Sequence, residues 1–422
     1  VRVAFVLSTT SGGTGRHVRM LTEGLVRLGH QVLVVGPRSV EERFAFTGAG
    51  ARFAHVPVSD RPHPLNDVQV VLAVRRLTGD ADVVHAHGLR AGALAALAAV
   101  GRGTRTRGRA PLVVTLHNAL TAGGAVGFVY GVLERIVARR ADRVLVVSPD
   151  LGERMERLGA GDVRPAVVPA PRLRSPRRTP GEVRAELGAG ERPLVLTLAR
   201  LAQQKGLENL LDAARGPWAG DGEETAGAGP ATVPPPASRR EEAPGAAPET
   251  RGAPDIGTGV EPRGSREATP GLPVRGRPLF LVAGEGPLRE ALQRRIGAEE
   301  LPVVLLGERD DVPDLLAAAT VVVWTSRWEG QPLSLSEALM AGRPVIATAV
   351  GGIPDLLAGA GRLVPYGDAG ALRSAVRELV EDPEAVARMA EAAARRGAEL
   401  PDADDAVAHV LDVYGKLRSY GR

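Results

Sequence analysis

The stretch whose reading decides the fold is Val321–Gly352, VVVWTSRWEGQPLSLSEALMAGRPVIATAVGG. Its first four residues, Val321 to Trp324, form an apolar run that predicts a buried strand. The loop after it carries Arg327, Trp328 and Glu329. A helix is expected from near Pro332 through Glu337 to Ala341, and a second apolar run, Pro344 to Ala349, ends in Gly351-Gly352. Strand, loop, helix and strand in this order make one unit of a parallel α/β sheet. Ligands bind at the carboxyl ends of strands in such sheets. Glu329 therefore stands at the mouth of a strand, and Glu337 lies on the helix that leads away from it.

The rest of the chain repeats this rhythm twice. Val3 to Leu7 is followed by the glycine-rich turn Ser11-Gly12-Gly13-Thr14-Gly15, a helical pattern through Val18, Leu21, Leu25 and Leu28, and the run Gln31 to Val35. Glycines in that turn let the backbone approach an anion at a helix N-terminus. The spacing is not G-x-G-x-x-G, and Pro37-Arg38 stands where an NAD enzyme places an acidic residue. A dinucleotide site survives only in an NADP form through Arg38, and a tight turn without a ligand is the other alternative. Further strands are expected at Val83 to His85, Leu112 to Leu116, Val144 to Val147 and Val167-Val168, with helices between them, notably Phe128 to Arg140. Such alternation predicts a doubly wound parallel sheet.

Strand ends carry the polar residues of this half. Ser148, before Pro149-Asp150, reads as a helix cap. His85 and His87 have no neighbouring carboxylate or Cys to complete a metal site, which leaves structural or substrate-lining roles. His117, just past an apolar strand, is placed at the crevice.

Four prolines from Pro169 to Pro180, with Arg172, Arg174, Arg177 and Arg178 among them, mark a stiff, solvated linker. The second half begins with the strand Leu194 to Leu198, a loop Ala199 to Gly206 and the helix Leu207 to Ala214. The pattern resumes at Leu279 to Ala283, then Gly284-Glu285-Gly286-Pro287, an amphipathic helix, the strand Val303 to Leu306 and the helix Asp314 to Ala319. Between the halves of this domain, Gly216 to Arg277 is rich in Pro, Gly, Ala, Glu and Arg, the composition of a disordered insertion.

Bulk properties exclude several classes. At 422 residues the chain can form two domains. It has no Cys, so neither disulfides nor thiolate metal sites can form. No uninterrupted apolar stretch of about 20 residues and no leader pattern occurs, so a cytoplasmic protein is expected. Net charge is +4 despite a pI near 9.9. Only Lys205 and Lys416 among the 53 bases are lysines, so little titrates above neutrality and the pI overstates basicity. A nucleic-acid footprint is excluded on that ground.

Four groups converge if both halves present strand carboxyl ends to a shared cleft: the Gly12-Gly13 turn, Arg200 with Lys205, Glu329 with Glu337, and the helix N-terminus near Gln331 to Leu333. A cationic pair with a helix N-terminus suits a diphosphate. The two carboxylates then serve hydroxyls on either side of it. Helical geometry would separate them by roughly 12 Å. A lysine kept in a chain that writes its bases as arginine suggests a compact point charge at the phosphate.

These residues resemble the retaining glycosyltransferases of family 4, which have the GT-B fold of two Rossmann-like α/β domains facing each other across a cleft. Glu329-Gly330-Gln331-Pro332 through Glu337 matches the E-x7-E signature, Arg200-Leu201 to Lys205-Gly206 the R-L-x3-K-G loop, and Gly351-Gly352 the following glycine pair. Gly12-Gly13, the Asp82 to His87 strand end and Thr115-Leu116-His117 add to it. The resemblance implies transfer of a glycosyl unit from a nucleotide sugar with retention. Catalytic roles fall to His117, Arg200, Lys205 and Glu329. Gly13, Gly330, Gln331, Pro332, Leu333 and Glu337 join them around the donor, with Glu337 on the ribose, and Gly12, Gly13 and His87 lie on the acceptor side. No cofactor beyond the donor co-substrate and no metal is expected, and Asp80-Ala81-Asp82 reads as a turn before a strand.

The implied organisation is an acceptor-side domain over 1–168, a linker over 169–181 and a nucleotide-sugar domain over 182–400 interrupted at 216–277. A final helix over 401–422 packs back on the first domain. Ala199, Asp355 and Ala170-Pro171 depart from the family pattern. Another GT-B enzyme, such as a sugar-nucleotide epimerase or phosphorylase, and a non-catalytic binding scaffold are the alternatives. The acceptor stays open among lipid-linked, polysaccharide and small molecules. The arginines at 102, 105, 107 and 109 suit either a peripheral membrane contact, an acidic acceptor or a solvated loop.

Overall fold

Near-continuous Val, Leu and Ile runs are what parallel strands covered on both faces require. In the computed structural model they form two such sheets. The structure describes residues 1–10, 12–59, 64–100, 110–119, 124–218 and 276–420. The first sheet contains β1 (Arg2–Leu7), β2 (Gln31–Gly36), β3 (Arg52–His55), β4 (Val83–His87), β5 (Leu112–Leu116), β6 (Arg143–Val146) and β7 (Val163–Pro165). Their order is β3-β2-β1-β4-β5-β6-β7, and all pairs are parallel. The second contains β8 (Leu194–Leu198), β9 (Leu279–Ala283), β10 (Val303–Gly307), β11 (Val321–Trp324), β12 (Val345–Thr348) and β13 (Arg362–Val364). Its order is β10-β9-β8-β11-β12-β13, again parallel throughout.

Strand order reverses between β1 and β4 in the first sheet and between β8 and β11 in the second. Those are the points where a crevice opens beyond the strand ends. Every side chain of β5, β8, β9 and β11 is buried. Each buried Leu or Val contributes roughly 1.5–3 kcal/mol of transfer free energy.

Differences from the sequence expectation fall at the edges. β3 and β13 are not expected from sequence; they are short, partly exposed edge strands without an apolar run. The last strand of the first sheet is Val163–Pro165, not Val167-Val168. β6 offers pairing only up to Val146, and the chain beyond Pro165 leaves the sheet toward Pro169.

The linker is also more structured than a solvated tether. The helix Pro180–Glu186 starts inside it, with a capping box between Thr179 and Glu182. Arg178 pairs with Glu186, Asp311 and Asp314, and the Arg177 backbone N–H donates to Asp314 Oδ1 at 2.6 Å. These contacts fasten the crossing chain to the second domain.

Most of the 216–277 segment and all of Arg102 to Arg109 lie outside the described residues. Its first residues belong to the fold, however. Trp218 is 4% exposed and packs on Phe280 at 5.7 Å between centroids. The helix Ala403–Tyr420 lies against the first helix, Gly13–Arg27, and Val407, Val410, Val413 and Tyr414 complete the first domain's core. Gly24 permits this approach, since a Cβ there would sit 2.4 Å from Val407 Cγ2. Among the described residues, no helix is long and apolar enough to cross a membrane.

Candidate active site

The loop after β8 is held from two sides. Ala199 and Leu201 lean on the Gly284–Gly286 turn: a Cβ at Gly284 would lie 2.1 Å from Ala199 O, and one at Gly286 2.4 Å from Leu201 O. Leu201 N–H donates to Glu285 O at 3.0 Å. On the other side, Gly206 has φ +58° and abuts Thr325 O, where a Cβ would come within 2.2 Å. Thr325 Oγ1 donates to Lys205 O at 2.9 Å, Arg327 N–H to Gln204 O at 2.9 Å, and Gln204 Nε2 to Trp328 O at 3.1 Å. The 200–206 loop and the 325–329 loop are thus one clasped unit at the β8/β11 switch point.

The clasp decides what the charges do. Lys205 Nζ reaches Glu329 Oε1 in an ion pair, and Ser326 Oγ donates to the same oxygen at 2.7 Å. Glu329 is 7% exposed, and those two donors satisfy its buried oxygen. The sequence reading separates these residues, with Lys205 on phosphate and Glu329 on sugar hydroxyls; the structure joins them directly. Arg200 is exposed and has no side-chain partner among the described residues. Its guanidinium is free to meet an anion.

Two helix N-termini face this unit. The helix Leu333–Met340 has Pro332 at its N-cap and no side-chain cap, and the helix Gly13–Arg27 starts at Gly12, also without one. Neither carries an acid in its first turn, so their N–H groups remain open to an anion. Gly13 lies opposite Leu333, whose Cδ1 is 3.9 Å from where a glycine Cβ would be. Glu337, partly buried, is pushed up by burial, with the Arg16 guanidinium across the cleft opposing the shift. Sequence reasoning missed Arg16; its only signal is its position four residues after Gly12.

Gly330, expected at the donor, is also packed closely against the first domain. A Cβ there would strike Val147 Cγ2 at 2.5 Å, and one at Gly352 would strike Val147 O at 2.7 Å. Trp328 Nε1 donates to Asp150 Oδ2 at 2.7 Å. Gly330, Gly352 and Trp328 therefore form the seat on which the two domains meet. Gln331 is partly exposed beside the helix start.

On the first domain, the ends of β1, β4 and β5 open into a cavity of about 410 Å³. It is lined by the hydroxyls of Ser8, Thr9, Thr10 and Thr14, and by His87, His117 and Asn118. Buried Glu134 also lines it and is held by Arg154 at 2.8 and 2.6 Å. His117 is pushed down to about 3 by burial and by its neighbour His17, and burial takes His17 down to about 4. Both are neutral at pH 7.

His85 is structural: Nδ1 meets Tyr414 Oη at 2.6 Å and Nε2 meets Thr115 Oγ1 at 2.7 Å. Ser148 occupies the N-cap position of the helix Pro149–Arg157, but its side chain makes no cap bond. Its Oγ is buried without a partner among the described residues. No group of three or more His, Asp and Glu residues able to hold a metal occurs among the described residues.

Two facing Rossmann-like domains with a cleft between them are the architecture of the GT-B class. Comparison with known proteins agrees. A description of the glycosyl transferase 4-like domain matches residues 12–171, and one of glycosyl transferases group 1 matches residues 269–382. The alpha-D-kanosaminyltransferase of Streptomyces kanamyceticus is 35% identical over 135 residues, 30% of this chain and 35% of that protein. The D-inositol 3-phosphate glycosyltransferase of Streptomyces coelicolor is 34% identical over 163 residues, 35% of each chain. The chain thus spans about a third of the length of the curated relatives it matches. HepE from Anabaena, solved in complex with UDP, superposes with a TM-score of 0.70 at 18% identity, covering 99% of this chain and 100% of that one. The chain belongs to the family 4 glycosyltransferases of GT-B fold.

Proposed function

We propose that this protein transfers a glycosyl unit from a nucleotide-diphosphate sugar, with retention, to an acceptor bound in the first domain's cavity. The observation that supports this reading is the approach of two uncapped helix N-termini, at Gly13 and Leu333, beside the clasped loops that carry Arg200 and the Lys205–Glu329 pair. Together they offer an oriented positive potential for a diphosphate. Glu337, on the helix that starts at Leu333, is the carboxylate for the ribose hydroxyls. The bond from the anomeric carbon to phosphate oxygen breaks as the bond to acceptor oxygen forms on the same face. The acceptor proton passes to the departing phosphate oxygen. Arg200, Lys205 and the helix N-termini stabilise the charge that develops there, without a metal.

The cavity's size and hydroxyl-rich lining favour a compact polyhydroxylated acceptor, a cyclitol or monosaccharide. One matched relative is named for a ring compound of that scale, D-inositol 3-phosphate. A lipid-linked acceptor is the second reading. It is favoured by exposed Val68 and Leu72 on the helix Pro64–Leu77 and by exposed Phe128, Val129 and Val132 on Gly124–Arg140.

Calorimetric titration with UDP, GDP, ADP and dTDP, each with and without EDTA, tests the donor half. One diphosphate should bind, EDTA should not weaken it, and Arg200→Ala should weaken it at least tenfold. Binding that needs a divalent cation, or none at all, overturns the reading. Flotation with anionic vesicles separates the two acceptor readings.

A further inference from the structure

Four imidazoles, His17, His85, His87 and His117, cluster where β1, β4 and β5 end. Their mutual bonds constrain where the protons sit. His87 Nδ1 and His117 Nε2 are 3.2 Å apart, so one of the two nitrogens must donate and the other accept. If His117 donated, the proton of His87 would sit on Nε2. That atom is buried and has no hydrogen-bond partner among the described residues. Its surroundings are rings: His85 stacks on His87 at 4.2 Å, with Phe5 at 5.4 Å and His17 at 5.9 Å. An aromatic face is a weak substitute for an oxygen acceptor, and an orphaned buried donor is the rarer and costlier defect. With the proton on Nδ1, His87 donates to His117 and leaves only a bare lone pair at Nε2. His117 must then carry its own proton on Nδ1. No described residue takes that nitrogen, which is the one left to the cavity.

We propose that His87 is a positioning residue that fixes His117 in its Nδ1–H tautomer, so that His117 donates a hydrogen bond to a substrate oxygen and does not take the acceptor's proton. The device is braced from behind. His85, clamped by Tyr414 of the last helix and by Thr115, holds the His87 ring in place by stacking on it. Burial keeps His117 neutral, in line with a donor that does not titrate during turnover. The inference rests on the glycosyl-transfer reading for which oxygen is met, but the proton's location does not.

Long-range nitrogen–proton correlation spectra of the full chain with labelled histidine test the tautomer without any turnover. The expected result is a protonated Nδ1 and an unprotonated Nε2 on His117, reverting to a mixture in His87→Leu. A protonated Nε2 in the wild type overturns the proposal. Activity supplies the second arm. The amide nitrogen of Asn can replace an Nδ1–H donor but cannot serve as a base. His117→Asn should retain kcat/KM within about tenfold of wild type while His117→Ala loses about a hundredfold or more. Equal loss in both variants overturns the donor role. A correct tautomer with no transfer activity on any donor would instead count against the proposed function and leave the relay standing.

Discussion

Gly206→Ala should cripple the site without touching any charged residue. Gly206 closes the turn that carries Lys205, at φ +58°. An alanine there faces two separate penalties. Left-handed backbone costs an L-residue about 1–2 kcal/mol. The new Cβ would also lie 2.2 Å from Thr325 O, a backbone atom that cannot swing aside, and 3.2 Å from Tyr366. Relieving that overlap requires the 203–206 and 325–329 loops to part by about 1 Å, which loosens the Thr325–Lys205 and Gln204–Trp328 bonds that register them. A displacement of that size at a positioning element costs about a hundredfold in rate. Thermal unfolding and steady-state nucleotide release, measured side by side, read the two penalties separately. Tm should fall by roughly 2–8 °C, and kcat/KM should fall tenfold to a hundredfold. Gly181→Ala, with no neighbour within 4 Å of the added carbon, is the control and should lower neither. Full kcat/KM in Gly206→Ala would refute the view that the clasp places Lys205.

Three further outcomes follow from the same geometry. Glu329→Gln removes the carboxylate that neutralises Lys205, so a free nucleoside diphosphate should bind about fivefold tighter, near 1 kcal/mol, while kcat falls; weaker binding by calorimetry would show that Glu329 does not compete for Lys205. Tyr414→Phe leaves buried His85 Nδ1 without its partner and should cost about 1–3 kcal/mol in denaturant unfolding; an unchanged midpoint would remove the last helix from the account of stability. His17 and His117 bind protons less readily folded than unfolded, at about 4 and 3 against 6.5. Below pH 6.5 the unfolded chain therefore takes up more protons, and stability should fall as pH drops from 6.5 toward 4 and hold level above 7. A Tm that rises on acidification through that window would contradict the burial of these rings.

Sequence makes the central strands legible because parallel strands covered on both faces must be apolar at consecutive positions. Leu194–Leu198, Leu279–Ala283 and Val321–Trp324 are found residue for residue. Edge strands such as Arg52–His55 and Arg362–Val364 escape, since one side of each needs no apolar residue. Within the site, charges whose spacing lies inside one loop or helix can be read directly: Arg200 with Lys205, and Glu329 with Glu337. Contacts that depend on how the halves face each other cannot. Arg16 opposite Glu337, Trp328 on Asp150 and Gly330 on Val147 join residues 178 to more than 300 positions apart, with no local pattern to announce them. The ion pair between Lys205 and Glu329 lies within the second domain but is equally silent in sequence, because only the clasp of two loops far apart in the chain brings the residues within reach.

Acceptor-dependent release of nucleoside diphosphate tests the central claim most directly. The full chain would be given a panel of nucleotide sugars with cyclitol and monosaccharide acceptors, and the product's anomeric configuration read by proton NMR. The account predicts release only when one donor and one acceptor are both present, with the product keeping the donor's configuration. Arg200→Ala and Lys205→Ala should each lower the rate by about a hundredfold or more. An inverted product, or an unchanged rate in both variants, would contradict it.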